Sequence, residues 1–329
     1  MTVLVTGGAG YIGSHMALRL GDAGEQTVVL DNLETGFDWA VDPRAILVHG
    51  DAGDIDLVKR LVAEHGIESI IHFAGSIIVP ESVSNPLKYY RNNTTTSRNI
   101  LEAAVAAGVK HFVFSSTAAV YGSVGLDPVP EEAPLNPTSP YGRSKLMTEM
   151  MLADTAAAHP ITYGALRYFN VAGADPQKRS GQSSPEATHL IKVASQTALG
   201  SRDSMALFGT DYPTPDGTCV RDYIHVSDLI EAHWLMLQHL REGAESLTLN
   251  CGYGRGYSVR EVIDVVKSVS GVDFKIVEGP RREGDAAAIV AGADRVRDIL
   301  KWQPAHDNLE EIVTDAYEWE SYLLRRNRN

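Results

Sequence analysis

The chain has 329 residues, 44% of them hydrophobic, enough to bury a sizeable core as one large domain or two medium ones. A formal net charge of −13, with Lys and Arg scattered, excludes a general basic surface for polyphosphate backbones, so nucleic acid is not an expected partner. No apolar stretch reaches the ~18 residues of a membrane span, the N-terminus lacks the parts of a signal peptide, and Cys219 and Cys251 have neither metal-ligand nor disulfide spacing; a cytoplasmic protein without membrane partner or bound metal is expected.

Residues 3–6 are a short β-branched run, followed at once by Gly7-Gly8-Ala9-Gly10-Tyr11-Ile12-Gly13 and a helical pattern over 14–20. Glycines at 7, 10 and 13 let the backbone turn sharply and approach a pyrophosphate, whose charge faces the helix N-terminus. A glycine pattern alone is often only a turn. Here Thr27-Val28-Val29-Leu30-Asp31 supplies a second strand, and Asp31 lies 18 residues after Gly13, near where a carboxylate grips the adenosine ribose. Its negative charge repels a 2′-phosphate and favours NAD over NADP.

The alternation continues with a strand near 45–48, a helix near 54–65 and a strand near 69–73. Asp51 falls at the carboxyl end of the third strand, where it either lines the crevice or caps the next helix. Phe73, Ala74 and Gly75 fall at the end of the fourth. A helical stretch near 86–107 leads to a strand near 111–116 that ends in the hydroxyls Ser115, Ser116 and Thr117. Thr117 can reach the same crevice and hydrogen-bond a substrate oxygen, although such hydroxyls often only satisfy local backbone groups.

Ser139-Pro140-Tyr141-Gly142-Arg143-Ser144-Lys145 then sets a phenol and an ammonium four residues apart at the start of a helix predicted over 139–158, on one face of it. A phenol ionises near pH ~10, and a fixed positive charge nearby lowers that value. Such a pair can take a proton from an alcohol and return it. The plainer reading is that Tyr and Lys merely share an exposed face.

A strand near 161–167 completes a parallel, doubly wound α/β sheet of Rossmann type, expected as a dinucleotide-binding domain over 1–168. Residues 174–185 read as a loop into a smaller α+β substrate-binding domain over 169–329, from which segments near 219–250 return to the sheet. That part holds predicted helices near 188–199, 227–241 and 258–269, a β-like run at 205–209, and two C-terminal helical segments. Arg221 and Arg282 are candidates for a charged ligand, or for ordinary salt bridges with Asp222, Glu283 or Asp285.

These residues together resemble the extended short-chain dehydrogenase/reductase family: the glycine loop, Asp31-Asn32, His72-Phe73-Ala74-Gly75, Ser115-Ser116-Thr117 and Tyr141-x-x-x-Lys145. Along nearly its whole length the chain is similar to the branch acting on UDP-hexoses, in Leu166-Arg167-Tyr168-Phe169-Asn170, in the run 208–226 and in 281–285. The resemblance implies tightly held NAD, not consumed overall, and interconversion of UDP-galactose and UDP-glucose. It implies Tyr141 as the base, kept ionised by Lys145 and the nicotinamide charge, and Thr117 on the C4 oxygen.

It further implies NAD contacts from Gly7, Gly10, Tyr11, Ile12, Gly13, Asp31, Asn32, Asp51, Ala52, Phe73, Ala74, Gly75, Asn92, Ser115 and Phe169, with Tyr141 and Lys145. On the UDP side it implies Asn170, Arg221 and Arg282 at the diphosphate, and Leu190, Ala206, Phe208, Tyr223 and Asp285 around uridine. Ile77, Pro80 and His189 depart from the common residues, His189 standing where Asn is usual beside the nucleotide. Ile289 falls where bulk decides whether an N-acetylated sugar fits. A homodimer paired through helices is also implied. Ala118 and Ala119, unable to transfer a proton, disfavour a dehydratase. Another UDP-sugar, N-acetylated or pentose, and a non-catalytic NAD-binding protein remain alternatives.

Overall fold

The computed structural model describes residues 1–184, 188–282 and 285–327. Strands β1 (Thr2–Thr6), β2 (Gln26–Asp31), β3 (Ile46–His49), β4 (Ile67–His72), β5 (His111–Thr117) and β6 (Thr162–Tyr168) alternate with helices. The helices are α1 (Tyr11–Asp22), α2 (Ile55–His65), α3 (Val79–Ser84), α4 (Pro86–Tyr89), α5 (Thr96–Ala107) and α6 (Pro140–Ala158). Beyond β6 come β7 (Asn170–Ala172), α7 (Leu190–Ala198), β8 (Met205–Phe208), β9 (Val220–His225), α8 (Val226–Arg241) and β10 (Leu247–Cys251). The chain then runs through β11 (Gly256–Ser258), α9 (Val259–Ser270), β12 (Ile276–Gly279), β13 (Ala288–Ile289), α10 (Asp294–Leu300) and α11 (Leu309–Arg326).

The large sheet is parallel, in the order β10-β6-β5-β4-β1-β2-β3. Its order reverses between β1 and β4, and in such sheets the ligand crevice opens at the carboxyl ends of the strands there. Both faces are covered, as the continuous apolar strands require. The two-residue period sends Val3 and Val5 into a core with α1 and α8, and Leu4 into one with α2 and α5.

Residues returning from the second half complete this sheet, because β10 pairs with β6 over Leu247–Cys251. A smaller sheet has the order β11-β9-β13 with β7 beside β9, and β8 pairs with β12 apart from it. These short strands were not expected from the sequence, apart from β8. The helix expected near 86–107 is divided by a π-helical turn, Tyr90–Thr95, between α4 and α5. Among the described residues no helix is long and apolar enough to cross a membrane.

Candidate active site

The glycine loop crosses the end of β1 at the switch point. Gly7 has φ +72°, and a Cβ on it would lie 2.6 Å from Ala74 N; one on Gly13 would lie 2.2 Å from Gly7 O. The loop is thus closed against the segment after β4 and against the first turn of α1 as only glycine allows. Gly10 caps α1 without a side-chain hydrogen bond, and no acidic side chain occupies the first turn. The N–H groups of that turn are left to an anion.

Asp31, at the end of β2, is buried; its Oδ2 accepts from Ala9 N at 2.9 Å and its Oδ1 from Leu33 N at 2.8 Å. Asp51 does not cap α2: Asp54 does, accepting from Leu57 N, while Asp51 closes a turn on Gly53 N. Asn32 binds His49 through its backbone oxygen, and Ala52 is buried behind the third strand. These features fit a dinucleotide: a glycine cradle, a helix N-terminus without a side-chain cap and a carboxylate on the second strand.

α6 carries Tyr141 and Lys145 inward, 6% and 3% exposed. Ser139 starts the helix by accepting from Gly142 N at 3.1 Å, and Pro140 fixes its first φ. Thr117 ends β5; its oxygen accepts from Ala119 N at 3.2 Å, and its contact with the Tyr141 phenol lowers that group's pKa. Local satisfaction and proximity to the phenol coexist at this hydroxyl. Lys145 Nζ donates to Ser115 O at 3.0 Å and lies 4.8 Å from the Phe114 ring centroid. The Ser115 hydroxyl has no hydrogen-bond partner among the described residues.

In the protein alone, burial pushes the Tyr141 phenol far above its usual value, with the neighbouring Tyr168 adding to the rise and the Thr117 hydroxyl opposing it. The ammonium is turned to the Ser115 carbonyl, and burial lowers it to about 8. Burial thus works against the phenolate, which positive charge nearby favours.

The small sheet gathers the UDP-side candidates. β7 pairs Asn170 with Tyr223 of β9, and β13 pairs Ile289 with Arg221. Arg221 Nη2 meets Asp285 Oδ1 at 3.0 Å, so the salt-bridge reading of Arg221 holds in this state. Arg282 stacks on Phe208, its guanidinium carbon 4.1 Å from the ring centroid. Ala206 is exposed on β8, His189 caps α7 through backbone alone, and Leu190 is the first residue of that helix. Glu283 and Gly284 lie outside the described residues. Ile77 is exposed and Pro80 opens α3.

Two residues near the crevice escaped the sequence reading. Asn93, adjacent to the expected Asn92, is buried and ties Ser76 N, at 2.7 Å, to Ser144 Oγ of α6, at 2.9 Å. Asn92 itself reaches Ser76 Oγ. Tyr168 brings its phenol to Tyr141, and burial raises its pKa. It stands beside the expected Phe169, which is buried; nothing local marks which of two adjacent residues turns inward. A cleft of about 400 Å³, lined by Glu261, Asp264, Asp307 and Glu310 among others, includes none of these groups.

Residues 3–252 match the NAD dependent epimerase/dehydratase family. The chain is 56% identical over 321 residues to a UDP-glucose 4-epimerase of Azospirillum brasilense, covering 98% of this chain and 92% of that one. It is similar, with a TM-score of 0.93 and 41% identity, to the UDP-glucose 4-epimerase from Brucella ovis in complex with NAD, covering 96% and 97% of the two chains. A UDP-glucose 4-epimerase from Stenotrophomonas maltophila with bound NAD and formylated UDP-arabinopyranose gives a TM-score of 0.95 at 39% identity, over 99% of each chain.

Proposed function

The chain belongs to the NAD dependent epimerase/dehydratase family, and from that premise we propose that it interconverts UDP-galactose and UDP-glucose by inverting C4. The observation that carries the reading is the burial of Tyr141 and Lys145 one turn apart on α6 against the end of β5, where Thr117 lies and Lys145 Nζ donates to Ser115 O.

Gly7, Gly10, Tyr11, Ile12 and Gly13 hold the pyrophosphate of NAD, Asp31 and Asn32 the adenosine ribose, and Asp51 and Ala52 the adenine side. Phe73, Ala74, Gly75, Asn92, Ser115 and Phe169 face the nicotinamide half, with Tyr141 and Lys145 at its ribose. Bound NAD supplies a reversible hydride acceptor for C4, and its oxidised ring adds the positive charge that the buried phenol requires. Tyr141 takes the proton of the C4 hydroxyl, Thr117 holds that oxygen, and Tyr141 returns the proton at the end. Inversion requires the 4-keto hexose to turn over while its nucleotide stays anchored. Asn170, Arg221 and Arg282 grip the diphosphate side; Leu190, Ala206, Phe208, Tyr223 and Asp285 line the uridine pocket, with His189 beside the nucleotide. Binding energy then comes from parts of the substrate that do not react.

The division into a cofactor domain over 1–168 and a UDP-sugar domain over 169–329, with return of the segment near 219–250, follows the same reading. So does a cytoplasmic location, consistent with two buried free cysteines. A homodimer is supported by Leu87 and Met150, 76% and 60% exposed on α4 and α6, which pack together.

Purified protein incubated with UDP-galactose and NAD, without added reductant, yields UDP-glucose on chromatography. UDP-GalNAc in a parallel reaction reports whether Ile289, half-buried beside Arg221, leaves room for an acetamido group. Tyr141→Phe retains NAD and UDP-sugar binding and loses most turnover; full turnover in that variant removes Tyr141 as the base.

A further inference from the structure

Past Asp31 the chain doubles back over the glycine loop before it reaches β3. Phe37 N donates to Ala9 O at 2.9 Å, and a Cβ on Gly36 would lie 2.7 Å from the Ala9 carbonyl carbon, so residues 32–37 are seated on the loop that takes the pyrophosphate in the reading above. Little in the segment itself fixes that course. Asn32, Glu34 and Thr35 are exposed, and Leu33 has φ +57°, a left-handed conformation that a leucine keeps only where its surroundings impose it.

Those surroundings come from the far end of the chain. A 3₁₀ turn, Asp38–Ala40, brings Trp39 against Trp319 of α11, with ring centroids 6.4 Å and planes 27° apart. Phe37 packs on Trp39 at 5.3 Å, and the Arg326 guanidinium carbon lies 3.8 Å from the centroid of the Trp39 ring. Trp319 is 3% exposed, and the segment after β7 helps to bury it: the indole lies 2.4 Å from where a Cβ on Gly181 would stand, and its Nε1 donates to Ser183 Oγ at 3.3 Å. Ser184 Oγ then donates to Thr35 O at 3.3 Å, which closes a ring of contacts around residues 35–39. The proposed chemistry uses none of these side chains.

We propose that Trp319 is a positioning residue for the cofactor: through Trp39 it holds residues 32–37 down on the glycine loop, so that α11 acts as a clasp that slows the release of NAD. The proposal rests on the reading above that NAD lies along the glycine loop and Asp31. The clasp adds no contact to the ligand. It orders the segment beforehand, and binding NAD then costs less. Loss of an aromatic pair and of a hydrogen bond corresponds to a change of roughly fivefold or more in how firmly the segment is held.

The test is the release of ¹⁴C-labelled NAD from loaded full-length protein, chased with unlabelled NAD, beside the affinity of the loaded protein for UDP measured by calorimetry. Trp319→Ala and Trp39→Ala release the label roughly fivefold faster or more, Trp319→Phe restores slow release to within about twofold, and UDP affinity stays within about twofold throughout. Ile312→Ala controls for general loosening: it opens a cavity where α11 packs on the main core, away from the clasp, and leaves release unchanged. Unchanged release in Trp319→Ala and Trp39→Ala, equal acceleration in Ile312→Ala, or a parallel loss of UDP affinity overturns the proposal. Should Trp319→Ala not fold, Trp39→Ala and the surface variant Arg326→Gln carry the same direction, and unchanged release in both refutes it. Failure of the unaltered protein to retain NAD overturns the cofactor reading. Amide hydrogen exchange of residues 32–41 then decides the clasp by itself: it is faster in Trp319→Ala than in the unaltered protein, and equal exchange refutes the role of Trp319.

Discussion

His72 makes the stability of this fold depend on pH with a calculable sign. The ring closes β4 directly beneath the cofactor crevice, is 1% exposed, and lies between Thr6 Oγ1 at 2.7 Å and Ser97 Oγ at 2.9 Å. Burial, with the Lys145 charge adding to it, lowers its pKa to about 3. Its folded pKa is below the unfolded value of ~6.5, so between those values the unfolded chain binds the extra proton. The neutral ring's contribution is present above pH ~6.5 and is lost as pH falls toward ~3. Between about pH 7.5 and about pH 5 the loss is roughly 2 kcal/mol, from 1.36 kcal/mol per unit over the interval in which only the unfolded ring titrates. The perturbation is His72→Gln, which keeps an amide between the two hydroxyls and cannot titrate. Urea unfolding of both proteins at the two pH values isolates the ring, because His15 and His233, each lowered to about 4 by burial, titrate equally in both. The unaltered protein loses roughly 2 kcal/mol more than the variant on acidification. Equal losses refute the assignment of a buried, neutral His72.

Gly13→Ala places a methyl group 2.2 Å from Gly7 O, a backbone atom that cannot yield without opening the glycine loop. NAD affinity measured by calorimetry falls by roughly tenfold or more, and an unchanged Kd refutes the closed-cradle geometry. Met150→Lys on the exposed face of α6 puts a charge into the proposed subunit contact and converts a dimer to a monomer in light scattering, with α6 otherwise intact. A variant that remains dimeric moves the contact to another face.

The glycine loop, Asp31, the β–α alternation and the Tyr141–Lys145 spacing were legible in the chain because each is written in local chemistry. Gly7 needs a positive φ, β1 needs a continuous apolar run, and Ser139-Pro140 starts a helix whatever lies around it. The short strands β7, β9, β11 and β13 were not legible. Three or fewer ladder residues in most of them carry no period, and they exist because distant segments pair, as Asn170 does with Tyr223. Arg221 was legible as a candidate for anion binding, but its pairing with Asp285 across 64 residues was one of several salt bridges the sequence allowed.

The sequence by itself determined the fold class, the cofactor loop and the candidate catalytic side chains, since these follow from residue type and spacing within one or two turns. Tertiary structure alone decided how those side chains are charged. Ionisation depends on burial and on neighbours brought from elsewhere in the chain: the phenol of Tyr141 is raised by desolvation, and Lys145 is lowered by it. No local pattern encodes the depth at which a residue comes to rest.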